Sequence, residues 1–105
     1  ICVNGPRLET AAEIKAFSLL GADVVGMTGM PEASLARELS ICFAGIGVVT
    51  NYAAGISGNR LTTTEVVRTM AESSEVVKTL LERTFVSISH TRNCMCKDAL
   101  KDARM

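Results

Sequence analysis

The stretch Ala22-Asp23-Val24-Val25-Gly26-Met27-Thr28-Gly29-Met30-Pro31-Glu32, continuing into Ala33-Ser34-Leu35-Ala36-Arg37-Glu38-Leu39, decides how the chain is read. A short apolar run leads into a small polar turn. Pro31 then opens a helix, in whose first turn its missing N–H leaves no donor unsatisfied. Strand end, turn and helix start is the arrangement in which α/β proteins open a crevice. Carboxyl ends of parallel strands and unpaired helix amides face the same space there. Thr28 falls in that turn, and its hydroxyl and N–H suit a phosphate or sugar oxygen. An ordinary strand-to-helix turn, which also needs small residues, is the other reading of the same spacing.

The same alternation extends in both directions. Upstream, Ile1-Cys2-Val3 reads as a short strand ended by Asn4-Gly5-Pro6, and Arg7-Leu8-Glu9 forms another strand-to-helix junction. Thr10 and Glu13 have the T-x-x-E spacing of a capping box, which predicts a helix over Ala11–Leu20 that buries Ile14, Phe17 and Leu20 and stops at Gly21. Downstream, the second helix is expected over Pro31–Leu39, with Leu35 and Leu39 on one face. Ile41 to Thr50, apolar nearly throughout, reads as a third strand buried on both sheet faces. A glycine-containing loop covers Asn51 to Leu61. A second capping box at Thr62-Thr63-Thr64-Glu65 then opens a long helix to about Ile88, with Val66, Met70, Val77, Leu81 and Phe85 as its core face. Periodicity is lost after Ile88, apart from one helical turn expected in Lys97–Ala103.

Composition narrows the function classes. The chain has 105 residues, 48% of them hydrophobic, enough for one domain with a modest core and too apolar for a disordered segment. Its 11 basic and 11 acidic side chains balance and form no basic cluster, which argues against nucleic acid as a partner. No run of about 18 uncharged apolar residues suggests a membrane span, and a basic-then-apolar leader is not evident, so cytoplasm is the default location. The chain opens directly on strand-like residues without Met, so we expect a piece of a longer polypeptide.

Three strand ends offer polar residues in succession: Glu9, Thr28 and Asn51. Right-handed crossovers in a parallel sheet would bring them to one edge. No nucleophile and base stand out. His90, the single histidine, reads as solvated, Glu32 as a complement to its helix dipole and Glu38 as a solvated charge. Cys2 and Cys42 fall inside expected strands and read as small buried hydrophobes. Cys94 and Cys96 form C-x-C and stay open between free thiols, a redox-active pair or long-range disulfide, and a metal ligand pair. No metal site is expected, because two cysteines one residue apart need further ligands and no C-x-x-C pair supplies them.

With these residues in view, the chain resembles the trimeric purine nucleoside phosphorylase family, which includes the methylthioadenosine and methylthioinosine phosphorylases. The resemblance rests on Gly5-Pro6-Arg7-Leu8-Glu9-Thr10, Gly21-Ala22-Asp23-Val24-Val25-Gly26-Met27-Thr28, Pro31-Glu32 with Leu35-Ala36-Arg37-Glu38, and Val49-Thr50-Asn51-Tyr52-Ala53, in family order and spacing. It extends from about Ile1 to Ile88 and leaves residues 89–105 as a tail carrying C-x-C. It implies a phosphorylase/hydrolase-like three-layer α/β sandwich. Residues 1–105 would be the carboxyl-terminal part of a single domain, with strands alternating with helices and a long carboxyl-terminal helix. The family's phosphate-binding loop, and a histidine and arginine that help hold phosphate, would lie upstream of Ile1.

The resemblance also implies a chemistry. Phosphate attacks the anomeric carbon of a purine nucleoside while the base leaves through a sugar cation-like transition state. Phosphate is the co-substrate and no cofactor is needed. Asn51 would be the catalytic group, hydrogen-bonding the base around N7 and O6 as negative charge develops there. Glu9 would accept from N1–H, Met27 would lie beneath the ribose and Thr28 would bind phosphate. Leu8, Val25, Gly26, Ala53, Thr63 and Val67 would complete the nucleoside site, Thr63 and Val67 at the 5′ end of the sugar. A carboxylate at Glu9 matches the N1–H of a 6-oxopurine and not the N1 acceptor of adenine. Inosine, guanosine or 5′-methylthioinosine are therefore expected ahead of methylthioadenosine, which stays as the alternative substrate. The full-length protein is expected to be a homotrimer or hexamer. An inactive purine-binding fragment is the competing reading from another class, and a thiol-disulfide protein acting through Cys94 and Cys96 is a third.

Overall fold

The Thr10–Glu13 capping box sets the first helix. In the computed structural model, which describes residues 1–103, α1 spans Ala11–Leu19. The Thr10 hydroxyl accepts from the Glu13 N–H at 3.3 Å, and the Glu13 carboxylate accepts from the Thr10 N–H at 2.7 Å, so two otherwise unpaired donors are satisfied reciprocally. Arg7 adds a clamp from outside the helix: its guanidinium donates to both Glu13 oxygens, at 2.9 and 2.6 Å. These contacts hold the Glu13 carboxyl down at about 2. The Arg7 hydrogen bond is the largest cause, followed by those from Thr10.

Both short helices end in the same six-to-one motif. Behind α1, Gly21 takes φ +90° while Gly21 N–H reaches the Ser18 carbonyl and Ala22 N–H the Phe17 carbonyl. Helix α2 spans Gly29–Glu38, two residues earlier than Pro31 suggested, because Thr28 rather than Met30 takes the capping position. Pro31 still lies in the first turn, so it removes no intrahelical bond. At the far end Ser40 N–H bonds the Arg37 carbonyl and Ile41 N–H the Ala36 carbonyl. Here a serine, at φ 54°, does what Gly21 does in α1.

The long helix α3 spans Thr63–Ser87, with the Thr62 hydroxyl accepting from Glu65 N–H at 3.2 Å. Beyond it, a 3₁₀ turn at Met95–Asp98 replaces the single turn expected in Lys97–Ala103. Successive bonds from Ala99 to Cys96, Lys101 to Asp98 and Ala103 to Leu100 keep three-residue spacing throughout this tail.

Among the described residues, strand pairing is confined to one parallel bridge. Cys2 pairs with Gly26, through Val3 N–H to the Gly26 carbonyl at 2.9 Å and Gly26 N–H to the Ile1 carbonyl at 3.0 Å. The Ile1 amino group extends the contact to the Val24 carbonyl at 2.8 Å. The first two expected strands are thus parallel neighbours, but too short to form a ladder. The third is not formed: residues 41–50 carry no strand pairing, and Ile41, Phe43, Ile46 and Val49 are exposed. A run of apolar residues becomes a buried strand only with neighbours on both edges and both faces, and the described residues supply none for it.

The core is correspondingly small. Among the described residues Ile14 alone of the hydrophobic side chains is buried. Phe17 is half-buried, whereas Leu20 is exposed at the α1 cap, where no other element covers it. The expected core face of α3 is also open: Val66 and Val77 are half-buried, while Met70, Leu81 and Phe85 are exposed. Met70, Val77, Leu81 and Phe85, with Val48, line a trough along the helix. A radius of gyration of 17.3 Å against about 13 Å for a compact domain of this length gives the same result. No helix is long and apolar enough to cross a membrane among the described residues.

Candidate functional site

The parallel pairing of Ile1–Val3 with Val24–Gly26 brings the two following turns to one side of the structure. Contact between them is direct: a Cβ at Gly5 would lie 2.9 Å from Met27 Sδ, so Met27 packs against the first turn over a residue that has no side chain. The loop after residue 50 reaches the same place by another glycine. Gly55, at φ +78°, approaches the amino end of α1 so closely that a Cβ there would stand 2.6 Å from Ala11 Cβ. Three segments, Gly5–Ala11, Met27 and Gly55, are therefore linked by two close glycine contacts, one at each end of the first.

Glu9 lies at the centre of this arrangement in sequence, between the Arg7 clamp and the Thr10 cap. It is half-buried, and its Oε1 is buried without a hydrogen-bond partner among the described residues. A buried carboxylate oxygen normally has a donor, and leaving one unpaired costs about 1–3 kcal/mol. Arg7 is committed to Glu13, so its charge supports Glu9 only at a distance; the Arg7 guanidinium is held protonated chiefly by Glu13, with a smaller contribution from Glu9.

Thr28 is exposed and caps α2 without using its side chain for the purpose. Its hydroxyl is not used in the cap, and the first free amides of α2 lie at the positive end of a ten-residue helix. Asn51 is half-buried, with its amide oriented from both sides. The Thr50 hydroxyl donates to Oδ1 at 2.7 Å, and Nδ2 donates to the Tyr52 carbonyl at 2.9 Å. Each end keeps capacity, a second lone pair on Oδ1 and a second hydrogen on Nδ2. The orienting role of Thr50 was not read from the sequence, although its adjacency to Asn51 was the available signal.

The other expected site residues are less enclosed. Val25 and Ala53 are half-buried, while Leu8, Gly26, Thr63 and Val67 are exposed. Thr63 is the first residue of α3 and Val67 stands one turn later on the same side. None of these residues lines the trough on α3. His90 is exposed, as expected for a solvated histidine.

A second cluster was missed in the sequence. Cys42 is exposed, and its Sγ lies 3.2 Å from Cys94 Sγ. With Cys96, the three sulfur atoms fall within 4.8 Å of one another. Cys42 is thus no buried hydrophobe, because the segment that carries it is not a buried strand; Cys2 is half-buried. The hydrogen bond from Cys42 brings the Cys94 thiol down to about 7, with help from Cys96, and the same proximity pushes Cys96 up.

The family model of the Phosphorylase superfamily matches residues 1–85. The chain belongs to the phosphorylase superfamily. It is 59% identical over 103 residues to a probable S-methyl-5′-thioinosine phosphorylase of Thermodesulfovibrio yellowstonii, covering 98% of this chain and 39% of the relative. It is 60% identical over 102 residues to a probable 6-oxopurine nucleoside phosphorylase of Thermococcus kodakarensis, with 97% and 38% covered. A 6-oxopurine nucleoside phosphorylase of Pyrococcus furiosus is 55% identical over 103 residues, again with 98% and 39% covered. The chain therefore spans about two fifths of the length of these curated relatives. Within this phosphorylase superfamily chain, Glu9, Thr28 and Asn51 lie inside the family match, and Cys94 and Cys96 lie outside it.

Proposed function

We propose that the full-length protein carrying this chain is a purine nucleoside phosphorylase that takes 6-oxopurine nucleosides: inosine, guanosine or 5′-methylthioinosine. The single observation that carries the reading is Glu9 Oε1, a buried acceptor without a donor among the described residues, just before the cap of α1. The N1–H of a 6-oxopurine supplies that donor. The N1 of adenine presents a lone pair instead, and the unpaired acceptor then disfavours binding by about 1–3 kcal/mol, roughly 5- to 150-fold. The names of the relatives from Thermococcus and Pyrococcus support the same substrate class.

In this reading a phosphate oxygen bonds to the anomeric carbon as the bond from that carbon to purine N9 breaks. The electron pair of the broken bond goes to the base, and a proton taken up at the base gives neutral purine beside pentose 1-phosphate. Asn51 stabilises the departing base: its spare Nδ2 hydrogen meets O6, and its spare Oδ1 lone pair meets the N7 proton. Because Thr50 and Tyr52 already hold the amide, little reorientation is needed when the charge develops. The Thr28 hydroxyl and the first amides of α2 bind phosphate. Met27 forms the ribose floor, with Val25 and Gly26 behind it, Leu8 and Ala53 beside the base, and Thr63 and Val67 at the 5′ end. Phosphate is a co-substrate, and no cofactor takes part.

The finer architecture belongs to the same proposal. Residues 1–105 form the carboxyl-terminal part of one domain, a three-layer sandwich in which the rest of the polypeptide supplies partners for residues 41–50 and covers α3. A homotrimer or hexamer is the proposed assembly.

The test is base release by the full-length protein with phosphate and inosine, guanosine, 5′-methylthioinosine or 5′-methylthioadenosine. A 6-oxopurine substrate should lead methylthioadenosine by at least about fivefold in kcat/KM, and Glu9→Gln should narrow that gap. Asn51→Asp should lower turnover of 6-oxopurines and shift the ratio toward 6-aminopurines. Preference for methylthioadenosine in the wild-type enzyme would refute the role of Glu9, and absence of phosphorolysis would refute the enzyme reading.

A further inference from the structure

The carboxyl-terminal tail meets the end of α2 in a defined register. Arg92 Nη1 donates to the Ser40 carbonyl at 3.0 Å, and Cys94 Sγ meets Cys42 Sγ at 3.2 Å. Both contacts join residues 52 apart, so residues 40–42 and 92–94 run side by side with one offset. The left-handed Ser40 turns the chain out of α2 and directs Cys42 toward the tail. The 3₁₀ turn that starts at Met95 then carries Cys96 back to the same point. Two unrelated local motifs thus converge to place three thiols together.

We propose that Cys42, Cys94 and Cys96 form a binding site for one thiophilic d10 metal ion, separate from the nucleoside site. Three thiolates and no nearby carboxylate or imidazole in the cluster make a soft donor set, the kind that selects Zn²⁺ or Cu⁺ over hard cations such as Mg²⁺. The spacing fits with little movement. Sulfurs around a shared tetrahedral zinc stand about 3.8 Å apart when each Zn–S bond is about 2.3 Å. One pair of sulfurs here stands 3.2 Å apart and all three lie within 4.8 Å of one another, so shifts of about 1 Å or less bring them to that separation. Cys42 and Cys94 are exposed, which gives the ion an entry path and leaves room for water as a fourth zinc ligand. Cu⁺ needs only the three sulfurs. Each thiol that binds gives its proton to solvent as its sulfur–metal bond forms, and no electron is transferred. Three thiolates around Zn²⁺ carry a net single negative charge, which the exposed position of Cys42 and Cys94 leaves to solvent to screen.

Sequence spacing hides the site, since C-x-C alone lacks a third ligand and Cys42 stands far upstream. A disulfide between Cys42 and Cys94 would use the same atoms, so the two states exclude each other. The decisive experiment titrates fully reduced, metal-free full-length protein under anaerobic conditions with Zn²⁺ and, separately, with Cu⁺, each against a chromophoric competitor. At least one of the two ions should bind at one per chain with release of protons, and three of the four thiols within residues 1–105, mapped by peptide, should lose reactivity toward a thiol reagent. Cys42→Ser, Cys94→Ser and Cys96→Ser should each weaken binding by more than the roughly 10- to 100-fold typical of lost outer contacts, whereas Cys2→Ser should leave it unchanged. Binding of neither ion, or Cys42, Cys94 and Cys96 equally reactive with and without the ion in the wild-type protein, overturns the proposal. So does tight binding that survives Cys42→Ser. Phosphorolysis by the same preparation reports on the nucleoside site independently.

Discussion

Gly55→Ala is the perturbation whose effect can be worked most fully from the structure. Two separate penalties apply. The backbone at Gly55 has φ +78°, where a Cβ introduces a steric cost of about 1–2 kcal/mol. The new Cβ would also stand 2.6 Å from Ala11 Cβ, which is fixed to helix backbone and cannot rotate away. Forcing the loop and helix apart adds about 1–3 kcal/mol. Together the substitution should lower the unfolding free energy by about 2–5 kcal/mol. Gly58→Ala is the internal control, since a Cβ there meets open space and its φ is not in the left-handed region. Ala11→Gly in the Gly55→Ala background should recover the contact penalty but not the backbone penalty, leaving a coupling energy of about 1–3 kcal/mol in a double-mutant cycle. Denaturant unfolding of the full-length protein measures all four states. On the proposed function, the loop that holds Gly55 against Ala11 also carries Asn51, so nucleoside KM should rise alongside. Equal stability of Gly55→Ala and Gly58→Ala, or no coupling with Ala11, would refute the close approach of loop and helix.

Two further outcomes follow from the helix ends. Glu13 has its carboxyl lowered from an ordinary 4.5 to about 2 in the folded protein, so its stabilising contribution is complete above pH 4.5 and is lost as pH falls toward 2. Melting curves of wild type and Glu13→Gln should therefore differ most near neutral pH and converge in strong acid, and a gap that stays constant across that window would dismiss the Arg7 clamp. At α3, Thr62→Ala removes the acceptor for Glu65 N–H and should destabilise by about 1 kcal/mol, whereas Thr64→Ala, which makes no cap, should change stability much less.

The contrast between what was legible and what was not follows from the range of the interactions. Local rules carried the capping box at Thr10–Glu13, the stop at Gly21 and the start of α3, because each is settled by residues within one turn of one another. The α2 start moved from Pro31 to Gly29, since a turn residue such as Thr28 can cap without any side-chain bond that spacing would reveal. The strand expected at Ile41–Thr50 is set by neighbours rather than by its own apolar residues, and it stays unpaired and exposed here. The α3 face shows the same dependence: Val66, Met70, Val77, Leu81 and Phe85 have helical periodicity, but burial requires something to cover them. For the candidate site, Glu9, Thr28 and Asn51 stood out in the sequence as expected strand-end polar residues, although the strand expected before Asn51 is not formed. The partnerless state of Glu9 Oε1 and the orientation of Asn51 by Thr50 required coordinates. Cys42 escaped altogether, because its partners are 52 residues or more away.

That separation has a consequence for the unfolded chain. A link between residues 42 and 94, through sulfur or through a shared ion, closes a loop of 53 residues containing all of α3. Chain-entropy arithmetic for a loop of that size removes about 4 kcal/mol of conformational freedom from the denatured ensemble at 25 °C. The amphipathic helix with the most exposed apolar surface would thus be tethered at both ends before it packs. Tying the ends makes the unfolded state a poorer competitor without adding any contact to the helix itself.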